Sequence, residues 1–255
     1  MHSYAQTNLQ LYNQIIEAKY SDADLTRTFQ AYELAMKLFS GRYRANGKPF
    51  VAHSIGTASI LITQSSPVSV VVAGLLHAAY AQGDFGNRQY GITQAKQKYL
   101  AQLVGEEVES IVALYTSLAW DEQAISIARS RINELSQVER QVLLIRLAND
   151  LEDELDLGML YCKKAQNSTA QLHTLSIVEV ALELGYPLLA EQLVESLQRA
   201  KIANIPSMLQ REKGSSFTIS PGLREPFIFA LLKSIKHMLT NKVVTKLMQA
   251  WRRID

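Results

Sequence analysis

The sequence is poor in cysteine and has little net charge of either sign. Cys162 is the single cysteine among 255 residues, which excludes a disulfide scaffold and any cysteine-rich zinc or iron–sulfur site. The 26 Lys and Arg stand against 24 Asp and Glu, for a formal net charge of +2. With 47% hydrophobic residues, this balance excludes an intrinsically disordered chain. It also gives no global support to nucleic-acid binding, so nucleic acid is not a predicted partner.

The sequence also has no evident targeting or membrane-spanning signal. The N-terminus MHSYAQTNLQLYNQ lacks the basic start and apolar core of a signal peptide. The longest uncharged stretches, between residues 49 and 83, include His53 and His77. These stretches predict buried helices rather than a membrane span. Together with the lone thiol, they favour a cytoplasmic protein.

Apolar residues recur at helical spacing almost throughout the chain. Ser21 with Asp24, and Ser136 with Glu139, have the spacing of capping boxes that begin helices. Segment 67–81 is apolar nearly all round, which predicts one central, fully buried helix. Further helices are expected at about 53–62, 93–103, 105–119, 121–133, 136–161, 168–185 and 187–203. There is no convincing strand pattern, so the predicted fold class is all-α.

Charge and composition divide the chain into a domain, a linker and a tail. We predict a helical domain over 1–210, a linker over 211–222 and a basic amphipathic helical tail over 223–255. The tail carries 7 Lys and Arg against 2 acids, whereas residues 105–156 carry 12 acids against 4 Lys and Arg. An apolar stripe beside lysines suits peripheral contact of 223–254 with an anionic membrane. It suits equally well packing onto the domain or onto a second copy in a homo-oligomer, and packing between helices is the commoner outcome.

Two histidines indicate a candidate site. His53 lies at the start of one predicted helix, and His77 lies near the end of the buried one. A lone buried histidine is most often a hydrogen-bonded core residue. Two on adjacent helices favour a functional site when an acidic helix is near, and the predicted helix 136–161 contains Asn149, Asp150, Glu152 and Asp153.

Four segments, in order, resemble the HD domain of RelA/SpoT-type alarmone hydrolases. They are GRYRANGKPFVAH at 41–53, AGLLH at 73–77, LVGEEV at 103–108 and IRLAN at 145–149. The resemblance covers about residues 25–160 and implies an HD-type helical bundle. It also implies a site where two histidines and two aspartates hold a divalent metal, often manganese. There, a metal-bound water attacks the pyrophosphate on the 3′ side of a guanosine nucleotide.

The resemblance assigns His53 and His77 as two of the metal ligands, but the chain departs from the family at the others. The aspartate after the second histidine is Ala78 here, and the distal aspartate is Asn149. Alanine cannot ligate a metal, and a neutral amide oxygen is a poorer ligand than a carboxylate for a hard dication. The family's Glu-Asp pair, a few residues beyond the second histidine, is Ala81-Gln82 here.

Two sets of candidate site residues follow. The metal set is His53, His77, Asn149 and, as a weak fourth member, Asp150. Asp150 or Asp153, with Asp84, would restore anionic ligands. The ligand-binding set is Arg44, Lys48, Tyr80, Gln82 and Asp153. The resemblance places Arg44 against a nucleotide base, and the alternative for Arg44 is a salt bridge to the acidic helix.

The predicted function is that of a degenerate HD-domain protein without standard metal-dependent hydrolysis. Such a protein binds a small ligand, of which a nucleotide is one candidate, or a partner. One alternative is an active metal-dependent phosphohydrolase of guanosine-polyphosphate type with altered ligands, for which manganese is the candidate cofactor. The other is a membrane-surface accessory protein that acts through 223–254.

Overall fold

The computed structural model describes residues 4–86, 89–162, 169–211 and 215–219. The chain divides into two units, Met1–Phe217 and Thr218–Asp255, and the helices below all lie in the first. The predicted tail 223–255 lies outside the described residues. The boundaries of the predicted domain, linker and tail therefore stay a prediction.

The described part of the chain is built almost wholly of helices, which confirms the all-α fold class. The α-helices are α1 Asn8–Glu17, α2 Asp22–Leu38, α3 Phe50–Thr63, α4 Val68–Leu76, α5 Ala79–Gln82, α6 Gln94–Val104, α7 Glu106–Ser117, α8 Glu122–Ser130, α9 Gln137–Leu155, α10 Thr169–Glu183 and α11 Pro187–Ile202. Short 3₁₀ turns lie at Gly158–Tyr161 and Ser207–Leu209. The strands β1 Arg42–Tyr43 and β2 Phe217–Thr218 have two residues each.

Local sequence signals explain where several helices begin. The predicted capping boxes are present at both sites: Ser21 with Asp24 begins α2, and Ser136 with Glu139 begins α9. Each box satisfies backbone N–H groups that the first turn of a helix leaves unpaired. Thr7 with Gln10 forms a third box at the start of α1.

Two predicted helices differ from the observed ones by more than three residues. Segment 67–81 breaks into α4 and α5 at His77 and Ala78. The His77 ring bonds the carbonyl of Gly74 at 2.7 Å, an acceptor that a continuous helix would offer to the amide four residues on. The predicted helix 136–161 ends at Leu155, because Leu157 adopts left-handed backbone angles with φ of 55°.

The core is centred on α3 and α4, which pack against each other and carry mostly buried residues. Helix α9 packs on α3, α7 and α11, and α10 pairs with α11. The buried side chains of these helices are chiefly Ile, Leu, Val and Ala. Within the described residues, none of the helices combines the length and the apolar character needed to span a membrane.

Candidate functional site

The two histidines of the sequence prediction meet inside the domain. His53 lies in the first turn of α3, and His77 directly follows α4. Their Nε2 atoms are 3.3 Å apart, and the rings cross at 72°. Asn149 of α9 directs its Oδ1 to within 3.0 Å of His53 Nε2. The predicted convergence of these three side chains is confirmed, whereas their role as metal ligands stays a prediction.

Hydrogen bonds at Nδ1 set the orientation of both imidazole rings. His53 donates from Nδ1 to the Glu152 carboxylate, and His77 donates from Nδ1 to the Gly74 carbonyl at 2.7 Å. The lone pair of each neutral ring is therefore on Nε2. Burial, followed by the charge of Arg44, lowers the pKa of His53 to about 3. Burial, followed by the neighbouring His53, lowers the pKa of His77 well below its usual value.

Glu152 is a site residue that the sequence prediction left out of its site sets. Its side chain is 1% exposed and bonds both His53 and the ammonium of Lys48. Burial raises the pKa of Glu152 to about 7 against the opposing effect of Lys48. The residue lies three positions after Asn149, so both project from one face of α9. The spacing between Asn149 and Glu152 is the sequence signal that could have identified Glu152 as a site residue.

The absence of a side chain at Gly56 leaves room for the Glu152 carboxylate between α3 and α9. Gly56 lies one turn after His53, and a Cβ there would lie 2.6 Å from Glu152 Oε1 and 2.7 Å from its Cγ. A side chain at this position would therefore displace Glu152 from His53.

Arg44 reaches the histidine pair from the turn before α3. Its amide donates to the carbonyl of Lys48 at 2.8 Å, and Gly47 at φ of 96° closes the turn. The guanidinium donates from Nη1 to His53 Nε2 at 2.7 Å and from Nη2 to Asp153 Oδ2 at 2.6 Å. The salt bridge to the acidic helix, one of the two alternatives for Arg44, is thus present.

The remaining predicted residues divide between the site and its surroundings. Lys48 is close to it and pairs with Glu152 and Asp156. Tyr80 is fully buried and donates to Glu109 at 2.6 Å. Gln82 accepts from the hydroxyl of Ser216 at 3.0 Å. The structure therefore brings Arg44, Lys48 and Asp153 to the histidines, while the bonds of Tyr80 and Gln82 lead elsewhere.

Asp150 accepts hydrogen bonds from Trp120 and from the amide of its neighbour Asn149. Its Oδ2 accepts from Trp120 Nε1 at 2.7 Å, and its Oδ1 accepts from Asn149 Nδ2 at 3.2 Å. The second bond orients the Asn149 amide so that its oxygen faces His53.

Tyr115 and Arg146 form a wall of the site that the sequence prediction missed. The Tyr115 ring lies 5.1 Å from the His77 ring, and Arg146 Cζ lies 3.8 Å above the same tyrosine. Burial raises the pKa of Tyr115. The sequence signal for these residues is weak, because an aromatic residue in one helix and an arginine in another are typical of ordinary packing.

The atoms that converge at the histidine pair are a poor ligand set for a hard divalent metal. The three converging atoms, His53 Nε2, His77 Nε2 and Asn149 Oδ1, are all neutral, and Ala78 offers no ligand atom. Arg44 already bonds the lone pair of His53 Nε2. A second group, His53 with Glu152 and Asp153, offers one ligand atom per residue, all within 4.8 Å of one another. Both ring nitrogens of His53 are hydrogen-bonded here, Nδ1 to Glu152 and Nε2 to Arg44.

Comparisons with known proteins agree with the resemblance found in the sequence. The family described as "Domain of unknown function (DUF6817)" matches residues 36–119. The "Bifunctional (p)ppGpp synthase/hydrolase SpoT" of Escherichia coli (strain K12) is 26% identical over 149 residues, which are 58% of this chain and 20% of that protein. The "GTP pyrophosphokinase" of Myxococcus xanthus is 28% identical over 131 residues, 51% of this chain and 16% of that protein.

A solved structure titled "A metazoan ortholog of SpoT hydrolyzes ppGpp and plays a role in starvation responses" has a TM-score of 0.47 and 19% identity. The match covers 72% of this chain and 99% of the chain in that structure. The chain spans about a fifth of the length of the SpoT protein that it matches. In sequence, the chain therefore resembles SpoT-type HD-domain hydrolases over 58% of its length.

Proposed function

We propose that this chain is a non-hydrolytic HD-type domain that binds a guanosine nucleotide. The observation that carries the proposal is the set of atoms around the histidine pair, where Ala78 and Asn149 replace both carboxylates that the family uses. A dication held by neutral atoms alone keeps its charge uncompensated in a largely buried site. The likeness to SpoT-type hydrolases supports the nucleotide class.

The accessible edge of the site suits the base of a nucleotide better than its phosphates. The Arg44 and Asp153 side chains are 22% and 16% exposed. A guanidinium plane stacks on a ring, and a carboxylate accepts from the N–H groups of guanine. Arg44 and Lys48 are already paired with carboxylates. The site therefore offers little unpaired positive charge to a polyphosphate.

Titration calorimetry with GDP and with guanosine 3′-pyrophosphate nucleotides tests this function, with and without manganese. We expect saturable binding and no released pyrophosphate. Arg44→Lys should weaken binding about 2- to 30-fold, because an ammonium lacks the stacking plane. The matched control Arg42→Lys should leave binding unchanged, since Arg42 bonds Tyr90 instead.

Two results would overturn the proposal. Failure of every guanosine nucleotide to bind would remove the ligand class. Pyrophosphate release that is abolished both by a chelator and by His77→Ala would establish the alternative, an active phosphohydrolase with altered ligands.

A further inference from the structure

Three hydrogen-bond acceptors face one another at the centre of the site. His53 Nε2 lies 3.3 Å from His77 Nε2 and 3.0 Å from Asn149 Oδ1. His77 Nε2 and Asn149 Oδ1 are acceptors too, so both repel the lone pair of His53 Nε2 unless a cation or donor lies among them.

The orientations cannot be exchanged cheaply to relieve this repulsion. Turning either ring would break its Nδ1 bond to Glu152 or to Gly74. Turning the Asn149 amide would place its oxygen against the Asp150 carboxylate, which now accepts from the amide nitrogen. The acceptor cluster is thus fixed by groups outside it.

Arg44 supplies positive charge at this point. Its Nη1 is 2.7 Å from His53 Nε2, while its Nη2 is held by Asp153 at 2.6 Å. The guanidinium also lies over the ring of Phe50, whose centre is 5.9 Å from Cζ. A guanidinium keeps its charge at every physiological pH, so it can serve permanently where a metal would bind only reversibly.

We propose that the Arg44 guanidinium is a built-in cation that replaces the metal at the histidine pair, and that Asp153 holds it there. This inference rests on the proposed function, since it explains how the site keeps its shape without a metal. It also predicts that the Arg44 guanidinium competes with a metal ion for the histidine pair. Removing the guanidinium frees the Nε2 lone pair of His53 and the Asp153 carboxylate together, leaving two histidines and an anionic ligand.

Metal binding by Arg44→Met tests the inference in the absence of any nucleotide. Cobalt(II) is the probe, and its affinity is measured by calorimetry and by the visible absorption of the bound ion. We expect the variant to bind cobalt at least about tenfold more tightly than wild type, because a nearby positive charge has been removed. Cobalt should also raise the melting temperature of the variant and leave that of wild type unchanged.

Two further variants show whether the new affinity belongs to this site. Arg42→Met removes the same charge two residues away and should behave as wild type. Adding His77→Ala to Arg44→Met should abolish the gain.

If Arg44→Met does not fold alone, cobalt should restore its helical circular dichroism. Arg44→Gln, which keeps a donor for His53 but no charge, should fold and bind cobalt more tightly than wild type.

Equal cobalt affinity in wild type and in the Arg44 variants would overturn the inference, and so would a gain that survives His77→Ala. These outcomes differ from failure of the proposed function. A chain that binds no nucleotide but gains cobalt affinity without Arg44 refutes the function alone. A wild-type chain that binds cobalt at the histidines as tightly as the Arg44 variants do, without hydrolysing nucleotides, refutes the inference alone.

Discussion

Gly56→Ala should destabilise the protein, because the added methyl group would clash with the side chain of Glu152. In most helix interiors this substitution stabilises a protein by about 1 kcal/mol, since alanine is the better helix former. In α3 the new methyl group would lie 2.6 Å from Glu152 Oε1 and 2.7 Å from Glu152 Cγ. These distances are too short for non-bonded atoms, and the buried Glu152 has no solvent into which to retreat.

The expected cost follows from what Glu152 must give up. Overpacking of a dense core costs about 1–3 kcal/mol, and each hydrogen bond to a charged group contributes roughly 1.5–3 kcal/mol. Weakening the bonds to His53 and Lys48 while gaining helix propensity gives a net loss of about 2–4 kcal/mol. Urea unfolding followed by far-ultraviolet circular dichroism measures it.

A double-mutant cycle with Glu152→Ala isolates the cause. When the carboxylate and its Cγ are absent, the close neighbour that remains is Nε2 of the exposed Gln6 at 3.0 Å, which can move aside. Gly56→Ala should then stabilise the Glu152→Ala background by up to about 1 kcal/mol. The sign of the effect therefore reverses between the two backgrounds. A Gly56→Ala variant within about 0.5 kcal/mol of wild type would refute the packing of Glu152 between α3 and His53.

Three further predictions concern pH, capping and metal. Burial raises the pKa of Glu152 to about 7, so protonation of Glu152 stabilises the folded state. This contribution is complete below the pKa that Glu152 has in the unfolded chain, and it is lost as pH rises through 7. The buried histidines have lowered pKa values, so they contribute in the opposite sense and lose their stabilisation as pH falls below about 6.5. In urea titrations, Glu152→Gln should therefore lose stability more steeply than wild type between pH 6.5 and 5, by about 1.4 kcal/mol per pH unit; parallel slopes would contradict this. Ser136→Ala removes the cap of α9 and should cost about 1 kcal/mol in the same assay, and no loss would mean that the cap is dispensable. Ala78→Asp with Asn149→Asp restores two carboxylates and should raise manganese affinity in calorimetry; an unchanged affinity would show that the cavity has diverged in shape as well.

The helices could be predicted from local sequence signals, and the meeting of His53 with His77 from the resemblance to a known family. Capping boxes mark helix starts, and motif order places each histidine on its helix. The break at His77 could not be predicted, since it depends on a ring that bonds the carbonyl of Gly74. Leu157 likewise ends α9 in a conformation that its residue type does not favour.

The side chains that determine the chemistry of the site were harder to predict than its position. The spacing from Asn149 leaves both Glu152 and Asp153 as candidates, and the packing against Gly56 is what selects Glu152 as the partner of His53 Nδ1. Arg44 was predicted either to bind a ligand or to pair with the acidic helix. Its bond to the lone pair of His53 depends on a tautomer that Glu152 fixes across 99 positions of sequence, and no local pattern contains that information.

The most direct test is a diffraction experiment at the manganese absorption edge on crystals soaked in millimolar manganese. The account predicts the Arg44 guanidinium in contact with His53 Nε2 and no anomalous peak at the histidine pair. A manganese peak bound by His53 Nε2 and His77 Nε2, with Arg44 displaced towards solvent, would contradict the claim that this HD-type site works without a metal.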